Sequence, residues 1–185
     1  MIAIRAARPA DAGPIADIYA PYVASGTISF ELEPPDTRTM ARRMAASDGL
    51  YPWIVATEGE DGGLLGYAYA TRFRDRPAYA YVVETSIYLS GAVQGQGTGR
   101  LLYEALIGTL RAQGFTQAIG VVALPNPGSI ALHEAVGFRR AGVYREVGYK
   151  QGRWIDVGIW QCALNESRVP PVEPRPFSTT GVVRA

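Results

Sequence analysis

Apolar residues along this chain recur at a spacing of two in some runs and at helical spacing in others, and each change marks an element. Ile2-Ala3-Ile4-Arg5 alternates as a strand does. Pro9, Ala10 and Asp11 then form a helix entry, followed by Ile15, Ile18, Tyr19 and Tyr22 at helical spacing. The connection Ser25-Gly26-Thr27-Ile28-Ser29-Phe30-Glu31 is oddly apolar. A second helix is expected from residue 37 to about 47, capped by Asp36. Residues 53–57 and 64–70, joined by a turn at 58–63, read as a hairpin, and 79–89 as the next strand. A long helix at 97–113 stops at Gly114, and 117–123 is a buried strand. A short helix at 129–136 closes on Gly137, before a strand pair at 143–149 and 154–162 around Gln151-Gly152.

The resulting order, β-α-α-β-β-β-α-β-α-β-β, is that of one α/β (α+β) domain over residues 1–166, with a mixed, mostly antiparallel central sheet flanked by helices. Residues 167–185 form a Pro-rich C-terminal tail, expected to run extended over the surface.

Gln94-Gly95-Gln96-Gly97-Thr98-Gly99-Arg100 joins the expected strand 79–89 to the long helix. A strand, a glycine loop and a helix start present bare N–H groups and a positive helix end to an anion. The glycines keep side chains out of the way, so the loop points to a pyrophosphate. A Walker loop requires Lys-Ser/Thr after its last glycine, where this chain has Arg100-Leu101. A dinucleotide fingerprint requires a glycine where Arg100 stands. The pattern that fits is Gln/Arg-x-x-Gly-x-Gly/Ala, and in this it resembles the coenzyme A loop of the GNAT superfamily of N-acetyltransferases.

Composition narrows the classes further. The 185 residues suit one domain with its own core, and an apolar content of 48% argues against disorder. A net charge of +1 argues against a nucleic-acid or anionic-membrane surface. No apolar run of membrane-spanning length and no signal-peptide segment is found, so a cytoplasmic location is expected. One cysteine, Cys162, and one histidine, His133, leave no internal disulfide and no expected metal site.

Glu84 stands in the apolar strand before the glycine loop. A carboxylate there has either a salt-bridge partner among the nearby arginines or a raised pKa suited to a general base. His133 is either a core histidine or a proton-transfer group. Arg72, Arg74 and Arg76 alternate, so an extended chain would point them to one side as a carboxylate or phosphinate site, or as a charged strand edge. Phe30, Tyr79 and Tyr81 are either core aromatics or the wall of an acceptor pocket.

The resemblance extends beyond the loop. Thr27-Ile28-Ser29-Phe30-Glu31, the segment from Tyr79 to Ser90, Leu124-Pro125-Asn126-Pro127-Gly128-Ser129 with Leu132-His133-Glu134, and the segment from Gly148 to Gln161 are similar to the phosphinothricin N-acetyltransferases, over nearly the whole chain to about Pro176. The likeness implies the GNAT acyl-CoA N-acyltransferase fold and acetyl-CoA as donor. It implies as acceptor the α-amino group of phosphinothricin, methionine sulfoximine or methionine sulfone. Glu84 would be the general base and His133 an assisting catalytic residue, standing where many GNAT enzymes carry tyrosine. Backbone groups of Ile87, Tyr88 and Leu89 would pair with the pantetheine arm. Gln94, Gly95, Gln96, Gly97, Thr98, Gly99 and Arg100 would hold the pyrophosphate, and Asn126 and Ser129 would contact the cofactor near its thiol end. Phe30, Arg72, Arg74, Tyr81 and Lys150 would contact the acceptor, and a homodimer is expected. The arginine-rich stretch from Thr71 to Pro77, and Ile155 in place of a histidine, resemble the sulfone and sulfoximine enzymes more than the herbicide-resistance ones. Another amine, such as a peptide N-terminus or an antibiotic, and a non-catalytic acetyl-CoA-binding module are the competing readings.

Overall fold

One seven-stranded sheet runs through the molecule in the order β1-β2-β3-β4-β5-β7-β6. The computed structural model describes residues 1–47, 49–60 and 62–183. Asp61, in the turn expected at 58–63, and Arg184 and Ala185 of the expected tail lie outside them. The strands are β1 (Ile2–Ala6), β2 (Trp53–Glu58), β3 (Leu64–Arg72), β4 (Val82–Leu89), β5 (Gln117–Ala123), β6 (Arg139–Lys150) and β7 (Arg153–Ala163). The helices are α1 (Ala12–Ala24), α2 (Thr37–Ala45), α3 (Thr98–Gln113), α4 (Pro127–Ala135) and α5 (Phe177–Thr180). Every neighbouring pair is antiparallel except β4 and β5. Among the described residues no helix is long and apolar enough to cross a membrane.

The two-residue period of the strands divides the core between the sheet's faces. Ala68, Ala70 and Val83 face α3, packing with Leu102, Leu106, Leu110 and Phe115. Tyr67, Trp53 and Val55 face α1 and α2, against Ile15, Tyr19, Val23 and Met40. The Asp36 carboxylate accepts from Thr39 N at 2.7 Å and so caps α2 as its sequence predicts. Gly114 ends α3 at φ +97°, a conformation that suits glycine.

Several expected boundaries move for local reasons. Pro77–Tyr79 coil into a short 3-10 turn, so the strand expected from residue 79 starts only at Val82. Proline fits the first turn of a helix, where its missing N–H costs nothing, and α4 accordingly starts at Pro127. The tail is not extended throughout. Beyond Pro176 it coils into α5, and Phe177 and Val182 pack against the α3-side core. Gln113 Nε2 donates to Arg175 O at 2.8 Å and anchors the approach.

The apolar connection after α1 is explained by what grips it. Lys150, only 7% exposed at the end of β6, donates to Val23 O at 2.6 Å and Ser29 O at 2.8 Å. The Phe30 ring lies so close to Gly148 that a Cβ there would approach it to 2.3 Å. Tyr19 donates to Glu31 Oε1 at 2.9 Å and shares a 2.6 Å hydrogen bond with Ser29 Oγ. Arg43 holds the same Glu31 carboxylate with both terminal nitrogens, at 2.7 and 2.8 Å. Replacing Lys150 by Met leaves two buried carbonyls without a donor. We expect a loss of about 3 kcal/mol, measurable as a lowered urea midpoint with an unchanged m-value.

Candidate active site

β4 and β5 run side by side only over Val82–Thr85 and Gln117–Gly120. Beyond these residues the strands part. Thr85 Oγ1 stitches the last paired rung, donating to Ile119 O at 3.3 Å and sharing a 2.8 Å hydrogen bond with Tyr103. Ser90 N reaches back to Leu65 O at 2.8 Å, while Leu89 N and O both meet Tyr22 Oη, at 3.3 and 2.6 Å. Strand alternation therefore turns the backbone groups of Ile87 and Leu89 away from β3 and into the gap, and those of Tyr88 toward β3. The Ile87 edge is open to a strand-like ligand, whereas Leu89 is shared with a tyrosine side chain and Tyr88 lends only its ring side.

A groove of about 390 Å³ follows this edge, lined by Ile87, Tyr88, Leu89, Gln94, Gly95, Gly97, Gly99, Arg100, Asn126 and Ser129, with Tyr22, Ile28, Gly128 and Leu132. Gly95 and Gly97 take φ of +75° and +85°, which aims the loop's N–H groups along the start of α3. At Gly99 a Cβ would come within 2.9 Å of Leu89 Cδ1, so the missing side chain lets α3 start against β4. Arg100 adds positive charge while its Nε holds Glu104 at 2.8 Å. Two expected residues are not in the lining. The Gln96 side chain turns back to donate to Ala92 O at 2.9 Å, and Thr98 is buried as the first residue of α3. Tyr22, read from the sequence only as a helical apolar contact, also accepts from Gln94 Nε2 at 2.9 Å. Its signal was its place in the last turns of α1, three residues after Tyr19.

A small cleft of about 50 Å³ continues the groove into the strand gap, bordered by Thr85, Val122, Asn126, Ser129 and His133. Asn126 caps α4 through Oδ1, which accepts from Ser129 N at 3.1 Å, and keeps its NH2 donors for other partners. His133 is 4% exposed, wedged edge-on against Tyr103 and Phe138. Its Nδ1 lies 2.8 Å from Ser129 O, an acceptor only, which assigns the proton to Nδ1 and leaves Nε2 bare in the neutral ring. Burial pushes its pKa below the ordinary value, outweighing the upward pull of that carbonyl. A neutral imidazole with bare Nε2 accepts protons there and does not donate them.

Glu84 lies on β4 across from Thr71 of β3, on the face that carries Tyr69 and Ser86. Burial raises its pKa, and the charge of Arg74 lowers it less. Among the described residues it makes no ion pair within 4.0 Å, so the salt-bridge reading of Glu84 finds no partner. The carboxylate and the Ile87 edge are three residues apart on one strand, Glu84 on the α1/α2 face and Ile87 at the gap.

The expected acceptor residues divide. β3 ends at Arg72, and the chain bends at Phe73, so the alternation of Arg72, Arg74 and Arg76 does not place them on one strand face. Arg74 stacks 4.5 Å above the Phe73 ring. Arg72 lines a cleft with Thr71 and Tyr69. Phe30 sits at the tip of the gripped loop. Lys150 spends two of its three ammonium donors on the loop carbonyls of Val23 and Ser29. Tyr81 turns instead to the tail, donating to Glu173 Oε1 at 3.0 Å.

A splayed sheet with a glycine-floored groove on one side and a half-buried carboxylate on the other is the arrangement of a group-transfer enzyme of the N-acetyltransferase type. The family model described as an acetyltransferase (GNAT) domain matches residues 4–159. A phosphinothricin N-acetyltransferase from Streptomyces viridochromogenes is 38% identical over 177 residues, 96% of this chain and 95% of the relative. An L-methionine sulfoximine/L-methionine sulfone acetyltransferase from Pseudomonas paraeruginosa is 35% identical over 91% of this chain and 98% of the relative. The crystal structure of a phosphinothricin acetyltransferase from Sinorhizobium meliloti in complex with acetyl-CoA superposes with a TM-score of 0.86, at 41% identity over 94% of this chain and 92% of that one. The chain belongs to the GNAT acetyltransferases, in their phosphinothricin N-acetyltransferase family.

His133 is the chain's single histidine, so its ring signals in heteronuclear NMR are unambiguous. We expect a neutral, Nδ1-protonated ring at pH 7 and a titration midpoint below 6.5. The sign for stability follows, since the unfolded chain binds the proton more readily. The histidine's contribution is present above pH 6.5 and is lost as pH falls through the lowered folded value.

Proposed function

We propose that the protein transfers the acetyl group of acetyl-CoA to the α-amino group of phosphinothricin or of a related amino acid analogue, methionine sulfoximine or methionine sulfone. The observation that carries this reading is Glu84, a half-buried carboxylate that makes no ion pair among the described residues, set on the strand whose free edge lines the glycine-loop groove. The groove fits coenzyme A by its chemistry. Main-chain N–H groups of the loop, the α3 start and Arg100 suit a pyrophosphate, and the Ile87 edge suits the amides of a pantetheine arm. Bound there, acetyl-CoA supplies a thioester carbonyl to the attacking amine.

The chain's own residues do the rest. Glu84, its pKa raised toward the working range, takes the proton of the acceptor ammonium and makes the amine nucleophilic. Asn126 borders both the groove and the inner cleft, and its NH2 would serve the thiol end of the cofactor there. His133, neutral with Nε2 bare, shapes the inner cleft and accepts a proton or hydrogen bond there rather than serving as the acid for the thiolate. The names of the relatives favour the amino acid analogues as acceptors.

The oligomer reading rests on the β6–β7 hairpin, where Tyr149 and Trp154 are 60% and 62% exposed and their tilted rings meet at 5.2 Å. With the exposed Val147 they form an apolar patch that suits a homodimer. Sedimentation at micromolar concentration should give twice the monomer mass, and Trp154→Glu should return the monomer.

Thiol release from acetyl-CoA tests the chemistry, with phosphinothricin, methionine sulfoximine, methionine sulfone, spermidine, an aminoglycoside and an alanine-starting peptide as acceptors. Turnover is expected with the first three. Glu84→Gln should lower kcat by about a hundredfold or more, with the KM for acetyl-CoA little changed. The acid limb of the wild-type pH–rate profile should lie above the 4.5 of an ordinary glutamate. Turnover confined to the polyamine, aminoglycoside or peptide would overturn the acceptor, and full activity of Glu84→Gln would overturn the base.

A further inference from the structure

A cleft of about 420 Å³ opens between α2 and the α1/α2 face of β2 and β3. Its wall is aromatic. The Trp53 ring stacks on Tyr69 at 4.2 Å and on Tyr67 at 6.0 Å. Its neighbours by register are the reactive ones, because Thr71 and Tyr69, which line it, lie directly across from Glu84 and Ser86. Residues opposite each other in an antiparallel pair share a face, so the cleft adjoins the Glu84 carboxylate.

Tyr67 is the feature that the fold does not explain. It is 1% exposed, lines this cleft, and its hydroxyl makes no hydrogen bond among the described residues. The residue is buried but its hydroxyl opens on the cleft, a polar tip that packing of the ring alone does not call for. Every other need of the position is met by the ring, which packs on Trp53, Tyr69 and Tyr88. The Tyr69 hydroxyl lies in the same field, and Arg43, held by Glu31, contributes positive charge to both tyrosines. Burial raises the pKa of both, so they remain protonated donors through neutral and mildly alkaline pH.

We propose that this cleft receives the oxidised side-chain terminus of the acceptor, a phosphinate, sulfone or sulfoximine, with the hydroxyls of Tyr67 and Tyr69 as its hydrogen-bond donors. The proposal rests on the acceptor reading given above and adds the residues that select within it. An aromatic wall alone favours the uncharged thioether of methionine over its sulfone, because the sulfone must shed water from two oxygens. The Tyr67 hydroxyl, which makes no hydrogen bond among the described residues, and the Tyr69 hydroxyl, which shares one with Ser86, reverse that preference, since the oxidised terminus accepts from such donors and a thioether does so only weakly.

Methionine and methionine sulfone differ only in those two oxygens, which makes them the test pair. Wild type should acetylate the sulfone with a kcat/KM at least about tenfold above that of methionine. The Tyr67→Phe/Tyr69→Phe double variant should lose most of this ratio through a higher KM for the sulfone, with kcat and the KM for acetyl-CoA unchanged. Tyr67→Phe alone should keep or raise the melting temperature, whereas a residue needed only for packing or internal hydrogen bonding would lower it. Tyr69→Phe alone gives a second, independent reading of the same ratio. A sulfone preference kept in the double variant, or a wild type that treats both acceptors alike, overturns the proposal and leaves the acetyltransferase reading standing. A wild type that acetylates neither, nor phosphinothricin, removes both together.

Discussion

The parting of β4 from β5 is the constraint on which the rest of the site depends. A parallel pair that continued past Thr85 and Gly120 would satisfy its own backbone and leave no edge for a ligand. The separation is held open from within. A Cβ on Gly120 would meet His133 Cδ2 at 2.5 Å, so the imidazole sits hard against β5 at the last paired rung. Thr85, fixed to Tyr103 and Ile119, holds β4 at the same level. From that rung outward Ile87 faces the groove, and one residue inward Glu84 stands on the α1/α2 face. Groove edge and carboxylate are thus brought to a common point by a single strand, with no flexible connection between them.

Two polar groups near this point have no protein partner among the described residues: Glu84 makes no ion pair and the Tyr67 hydroxyl no hydrogen bond. Where the protein needs rigidity instead, its buried charges are met. Lys150 spends its ammonium on two carbonyls, and Asp11 is gripped by Arg5 at 2.7 and 2.9 Å and by Arg8 N at 2.6 Å. Unmet groups in a well-packed protein are destabilising, and they persist where a ligand completes them.

Much of this was legible in the residues. The strand and helix periods marked the element order, and the glycine loop marked one wall of the groove, because both are local and depend on spacing alone. Glu84 stood out as a carboxylate in an apolar strand. Spacing says less where a side chain's direction is set by distant partners. Alternation of Arg72, Arg74 and Arg76 presupposed a strand that ends at the first of them. Tyr81 looked like a pocket aromatic, but a glutamate ninety-two positions away holds its hydroxyl. Lys150 looked like an acceptor contact, yet its partners are carbonyls from the far end of the chain. Tyr67 and Tyr69 read as plain strand aromatics, since nothing in spacing separates a phenol that packs from one that also lacks a partner.

The aromatic row between the two ligand-facing regions completes the physical picture. Tyr22 Oη holds Leu89 and Gln94 beside the groove, and its ring meets Tyr88 edge-on at 5.2 Å. Tyr88 in turn meets Tyr19 at 4.8 Å and Tyr67 at 5.4 Å. Tyr19 ends at Ser29 and Glu31 in the gripped loop, and Glu31 ends at Arg43 on the cleft. Rings packed in this way resist compression and have few rotamers to lose. The separation of groove and cleft is therefore set by side-chain packing across α1 and β4, and not by the loops that border them. Transfer between two bound molecules requires their reacting atoms to be held near contact distance, where a small displacement costs much of the rate. A fixed row of tyrosines spanning both sites meets that requirement before either ligand arrives.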